Sequence, residues 1–111
     1  MKHPTRLSAI ILLSLALPAA TFAAEAKDNW AQYCSRCHSA DGSGQSKIGK
    51  KLGVQDYTSA DIQAKMTDDV MLKTILEGAT KDGKEKMPAY KDKLSADEAK
   101  ALVGLIRSFK K

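Results

Sequence analysis

Cys34, Cys37 and His38 are the residues of this chain whose types and spacing best suit chemistry. They stand in the run Cys34-Ser35-Arg36-Cys37-His38. C-x-x-C-H is the attachment signature of c-type haem. Each thiol adds across one vinyl group of a porphyrin to give a thioether, and the histidine that follows offers an imidazole nitrogen to the iron. Residues at i, i+3 and i+4 share one face of a helix. Three bonds therefore reach one flat group from a single turn. Two other uses compete. A redox disulfide wants a βαβ context, and the sequence shows none. A zinc site wants about four ligands, yet the chain has two cysteines and two histidines, and the other histidine, His3, lies in a segment expected to be removed.

That segment covers residues 1–24. Lys2, His3 and Arg6 form a basic stretch, Leu7 to Leu17 a short apolar run, Pro18 a break, and Ala19, Ala20, Ala23 and Ala24 a small-residue region. This is the order of a secretory signal. The run is shorter than the ~20 apolar residues a spanning helix needs, so no stable membrane anchor is expected. Cleavage after Ala23, with Thr21 at −3, and after Ala26, with Ala24 at −3, both fit. The boundary thus lies between 23 and 26, and residues 25–111 form the domain. In bacteria c-type haem is attached outside the inner membrane, so export to the periplasm and the haem motif point the same way.

The mature chain is small, roughly 85–88 residues, and chains of that size usually need a staple. A covalently held haem would supply one. The full chain carries +5; losing Lys2 and Arg6 brings it to about +3. That is mild, and without an arginine-rich or aromatic-interleaved stretch it gives no reason to expect nucleic acid as a partner.

Four helical segments are readable, with no repeat and no second domain. The first runs from about Asp28 to Cys37, with Trp30 and Tyr33 on its apolar side. The second covers about Ser59 to Met66, with Thr58 as its N-cap. The third follows Thr67, carries Asp68 and Asp69 at its positive end, packs through Met71, Leu72, Ile75 and Leu76, and stops at Gly78. The fourth starts at Ser95, where Ser95 and Glu98 spell a capping box, and continues through Leu102, Leu105, Ile106 and Phe109. The glycine-rich stretch from Asp41 to Gly53 and the lysine-rich stretch from Ala79 to Leu94 read as loops. No segment alternates long enough for a strand. The expected class is all-α, with long loops tied down by one covalent haem.

The mature chain resembles the class I, monohaem, c-type cytochromes over essentially its whole length. The resemblance rests on Cys34, Cys37 and His38, on Gly49 and Leu52, on Met87-Pro88-Ala89-Tyr90, and on a last helix holding Leu102, Leu105 and Ile106. The ending MPAYKDKLSADEAKALVGLIRSF looks very like the small bacterial members. The resemblance implies a haem crevice, first and last helices crossing near one edge, and Trp30 packing against the last helix. Ala26 would sit at the crossing. The family usually has Gly-Pro after the haem motif, its proline carbonyl accepting from the far nitrogen of the histidine. Here the pair is Gly49-Lys50, and the Lys50 carbonyl is expected to serve.

Met87 is the expected second iron ligand. It is an apolar residue in a polar loop, and Pro88 holds it extended; the resemblance supplies the rest. Met66 and Met71 lie in helical segments and read as core fillers. His38/Met87 ligation leaves no open position on iron and raises the reduction potential, which implies a one-electron carrier rather than an enzyme. The alternative is a ligand sensor or peroxidase-like protein, if Met87 leaves the iron. A third possibility is a subunit held by a larger oxidoreductase. The expected form is a monomer serving redox protein partners. Lys47, Lys50, Lys51, Lys81, Lys84, Lys86, Lys91 and Lys93 flank the two ligand loops. They would suit an acidic patch on such a partner, although loop lysines are also commonly just solvated charges.

Overall fold

The computed structural model describes residues 10–14 and 19–111. The basic stretch with Lys2, His3 and Arg6, and the break at Pro18, lie outside the described residues. Among those described, no helix is long and apolar enough to cross a membrane.

A helical stretch opens the domain: α1 (Ala19–Asn29), a π-helical turn (Trp30–Cys34) and α2 (Ser35–His38). The first helix thus begins earlier than Asp28, and a π turn, a feature frequent at functional sites, leads straight into the haem motif. Ala26 is buried where α1 meets the last helix, and Asn29 donates to Glu98 across that contact at 3.2 Å.

The stretch expected to be a loop holds α3 (Lys47–Leu52). Ser46 caps it by accepting from the Gly49 N–H at 3.0 Å, and Gly53 closes it in the left-handed region at φ 68°. Glycines obscured it, because Gly49 weakens the helical pattern. Gly49 is needed for close approach: a Cβ there would meet the Cys37 carbonyl. α4 (Ala60–Lys65) is capped by Ser59, not Thr58. The Thr58 hydroxyl donates instead to Asp56 Oδ1 at 2.6 Å, whose other bond, from the Thr58 N–H, makes an Asx turn. α5 (Asp68–Glu77) has its Thr67 cap, and α6 (Ala96–Ser108) has both halves of the Ser95–Glu98 capping box.

One hairpin departs from the expected loop. β1 (Ala79–Lys81) pairs antiparallel with β2 (Lys84–Met87). Asp82 and Gly83 form its tip at φ 54° and 73°, the paired positive φ of a two-residue turn for which Asp-Gly is a strong signal. The strands are short and mostly exposed, so no alternation betrays them. Pairing runs Ala79 with Met87 but Thr80 with Glu85, which leaves Lys86 as a bulged extra residue.

The core gathers Trp30, Met71, Ile75, Leu94, Ala99, Leu102, Val103 and Ile106. It is thus α6 packed on α5 and on the start of the haem segment. Trp30 behaves as expected: its ring lies 5.0 Å from that of Phe109, and its indole N–H donates to the Ser39 carbonyl at 3.0 Å. Leu102 is fully buried; truncating such a leucine typically costs about 2–5 kcal/mol. The core is small, and beside it lies a crevice.

Candidate functional site

The crevice has a cleft of about 340 Å3 and a second cavity of about 150 Å3. Both are lined by Cys34, His38, Gln55, Tyr57, Thr74 and Met87. Cys37 lines the first. The four residues singled out by sequence therefore converge on one space, although 49 positions separate Met87 from His38 in the numbering.

One wall is the haem motif. Cys34 and Cys37 are both free thiols, partly buried. Burial, and next the neighbouring Cys37, pushes the Cys34 thiol up to about 11. Cys34 is thus a neutral thiol rather than a ready thiolate. No group of three or more His, Cys, Asp or Glu side chains converges to hold a metal ion among the described residues. Burial also lowers the pKa of His38, so its imidazole is neutral at physiological pH and keeps a lone pair for a metal. Its ring sits between two aromatics: Tyr57 stacks on it at 5.2 Å and 21°, and Trp30 lies tilted at 5.8 Å.

His38 Nδ1 is buried with no hydrogen-bond partner. The expected bond to the Lys50 carbonyl is not made. That carbonyl accepts from the Gly53 N–H at 3.3 Å in closing α3. An unpaired buried imidazole nitrogen is costly, and its presence marks a histidine placed for something other than protein hydrogen bonding.

The facing elements bring Met87, the last residue of β2. The bulge at Lys86 re-aims the end of the strand. Gly78 allows the hairpin base to close: at φ +78° it lies so near the following loop that a Cβ would stand 2.5 Å from the Met87 carbonyl. The chain after Met87 is pinned twice. The Tyr90 and Lys91 N–H groups donate to the Ile75 and Leu76 carbonyls at the end of α5. The Tyr90 hydroxyl donates to the Tyr33 carbonyl at 3.0 Å, one residue before Cys34. Met87 lines both cavities, whereas Met66 and Met71 line the smaller one only. Met71 is core, and Met66 and Met87 are both partly buried and packed against it.

A pair of free thiols, a neutral imidazole and a thioether around an apolar space fit a covalently attached haem. A family model described as cytochrome C oxidase, cbb3-type, subunit III, matches residues 21–106. This chain is a monohaem c-type cytochrome. Among solved structures it is similar to one titled KustC0563 c-type cytochrome, at 36% identity and a TM-score of 0.70, covering 78% of this chain and 98% of that one. A tyrosine-to-phenylalanine mutant of Kustc0563 is similar at 35% identity and a TM-score of 0.68, covering 78% and 99%. No curated protein matches. The cytochrome fold is thus the small helical one, and the function of the family is haem-based electron transfer.

Sequence reading missed Tyr57, Gln55 and Thr74 on the crevice walls, of which Tyr57 contacts His38. Tyr57 carries no motif, and its role rests on a contact with a residue 19 positions earlier in the numbering. Its one signal was an aromatic residue set between Asp56 and Thr58, where a solvated loop would have no use for it.

Proposed function

We propose that this cytochrome is an exported one-electron carrier whose iron is held by His38 on one side and Met87 on the other. The supporting observation is that Met87, carried by the bulged end of β2, lines the same two cavities as His38 and Cys34. One haem is attached through Cys34 and Cys37. When bound, it supplies a reversible Fe(III)/Fe(II) change. The chain's own residues do the rest. His38, kept neutral by burial, binds as imidazole. Met87 offers a soft thioether that favours Fe(II) and raises the potential relative to two imidazoles. Tyr57, Trp30 and Tyr90 fill the walls and exclude water. With His38 and Met87 both holding the iron, the protein would leave no position for oxygen or peroxide.

The partners are redox proteins met by diffusion, and the cytochrome works in the periplasm as a monomer after loss of residues 1–24. Lys81 and Lys86 line the cleft. With the exposed Lys47, Lys50, Lys51, Lys84, Lys91 and Lys93 they favour a partner with an acidic docking patch. A second reading, a subunit held within a larger oxidase, is favoured by the description of the family model; size-exclusion of a native extract separates the two. A redox titration followed by visible absorption tests the carrier reading. It predicts a single one-electron transition and, in the oxidised protein, the long-wavelength band of methionine–iron ligation. Absence of that band, with ready carbon monoxide binding to the reduced form, would support the sensor or peroxidase alternative instead.

A further inference from the structure

We propose that Gln63 is a positioning residue for His38 and acts through Tyr57. The proposal rests on His38 being the axial histidine. Gln63 is the buried polar residue of the core, 3% exposed. It sits on α4 and touches neither the thiols nor Met87, so a role in holding the cofactor directly does not explain it. Its Nε2 donates twice, to the Tyr57 carbonyl and to the Ile106 carbonyl, each at 2.8 Å. Its Oε1 accepts from Arg107 Nη1 at 2.9 Å. A buried amide is costly unless satisfied, and here every polar atom of the side chain is engaged.

Arg107 fixes the amide in turn. The same Nη1 donates to the Gln63 carbonyl at 2.7 Å, and Nη2 donates to the Met66 carbonyl at 2.6 Å. Nε reaches Asp68 at 2.9 Å, but Asp68 is exposed, so the carbonyl bonds matter more. The guanidinium thus locks the end of α4 onto α6, with Gln63 pointing back at Tyr57.

Tyr57 is then held at both backbone groups. Its carbonyl accepts from Gln63, and its N–H donates to the Gly42 carbonyl at 2.9 Å. With the backbone fixed, the ring has few rotamers left, and the one adopted stacks on His38. His38 Nδ1 has no hydrogen bond to set the ring's rotation. The usual means of orienting a metal-binding histidine is an acceptor on its other nitrogen. In this chain the stacked aromatic takes over that task, and Gln63 holds the aromatic. The rotation of an axial imidazole governs its overlap with the iron orbitals and so tunes the potential.

The test uses the haem-loaded protein and four variants, Gln63→Leu, Gln63→Glu, Tyr57→Phe and Tyr57→Leu, with the Gln63→Leu/Tyr57→Leu double. The readouts are the reduction potential and the paramagnetic NMR shifts of the His38 ring and haem methyls, with melting temperature recorded separately. Gln63→Leu is expected to change both the shift pattern and the potential. Tyr57→Phe keeps the ring and leaves the pattern near wild type. Tyr57→Leu changes it, and the double variant adds little further, because both substitutions interrupt one path. Should Gln63→Leu not fold, Gln63→Glu keeps the volume but loses both donated bonds, and the same change is expected. A Gln63 variant that melts earlier with the pattern and potential unchanged, or additive effects in the double, would overturn the proposal. A wild-type spectrum without histidine ligation would overturn it together with the ligand reading, and is seen before any variant is made.

Discussion

The two walls of the crevice are built on opposite plans. The His38 wall is part of the helical entry to the domain. Its histidine is flanked by Trp30 and Tyr57, and Trp30 packs into the core beside α6. The Met87 wall is the end of a short hairpin whose strands are largely exposed. It is held at its base by Gly78 and by the Tyr90 bonds to α5 and Tyr33. Stability is not uniform within a fold, and segments with few buried apolar contacts open first. On the proposed ligation, the difference teaches where the site would yield: ligand exchange would fall to the Met87 wall, while covalent attachment and packing would fix the His38 wall.

The largest effect comes from breaking the fixed wall. Cys37→Ala leaves at most one thioether and is expected to give a low yield of haem-loaded protein. Mass spectrometry showing full two-bond attachment in that variant would refute the assignment. The next concerns the yielding wall. Gly78→Ala forces a side chain into a positive-φ position already crowded by the Met87 carbonyl and should destabilise the protein by about 1–3 kcal/mol. Thermal melts measure the loss, and the methionine–iron band should weaken before the covalent haem is affected. A variant that melts like wild type would show that the hairpin base is not held as described. The smallest effect concerns the lysines. Lys84→Glu with Lys86→Glu, beside Met87, should slow electron transfer to an acidic partner more than Lys110→Glu with Lys111→Glu at the chain's end. The rate should also fall steeply with salt. Equal effects, or no salt dependence, would reject a docking role for the Met87 side.

The same contrast explains what was legible. The His38 wall is local in sequence: Cys34, Cys37 and His38 fit one turn, and their chemistry follows from spacing alone. α5 and α6 were readable because caps and apolar periodicity agree at Thr67, Ser95 and Glu98. The hairpin was hidden because its strands are short and largely exposed, although Asp82-Gly83 marked its turn. α3 was hidden by Gly49, which is a glycine because the Cys37 carbonyl lies against it. The Lys50 bond to His38 was expected from the resemblance and is not made. Gln63 was illegible in principle: a glutamine on a short helix looks solvated until Tyr57, Ile106 and Arg107 close around it.

The central claim is that Met87 occupies the sixth position of an otherwise covalently fixed haem. Met87→Ala in the haem-loaded protein, followed by absorption spectroscopy with and without carbon monoxide, tests it most directly. The account predicts intact covalent haem, loss of the methionine–iron band, a lower potential and carbon monoxide binding to the reduced form that wild type resists, unless Lys84 or Lys86 moves in as a substitute ligand, in which case a nitrogen-ligated spectrum replaces the band. An unchanged spectrum and potential would contradict it and turn attention to Met66, the other methionine of the smaller cavity that lies outside the fully buried core.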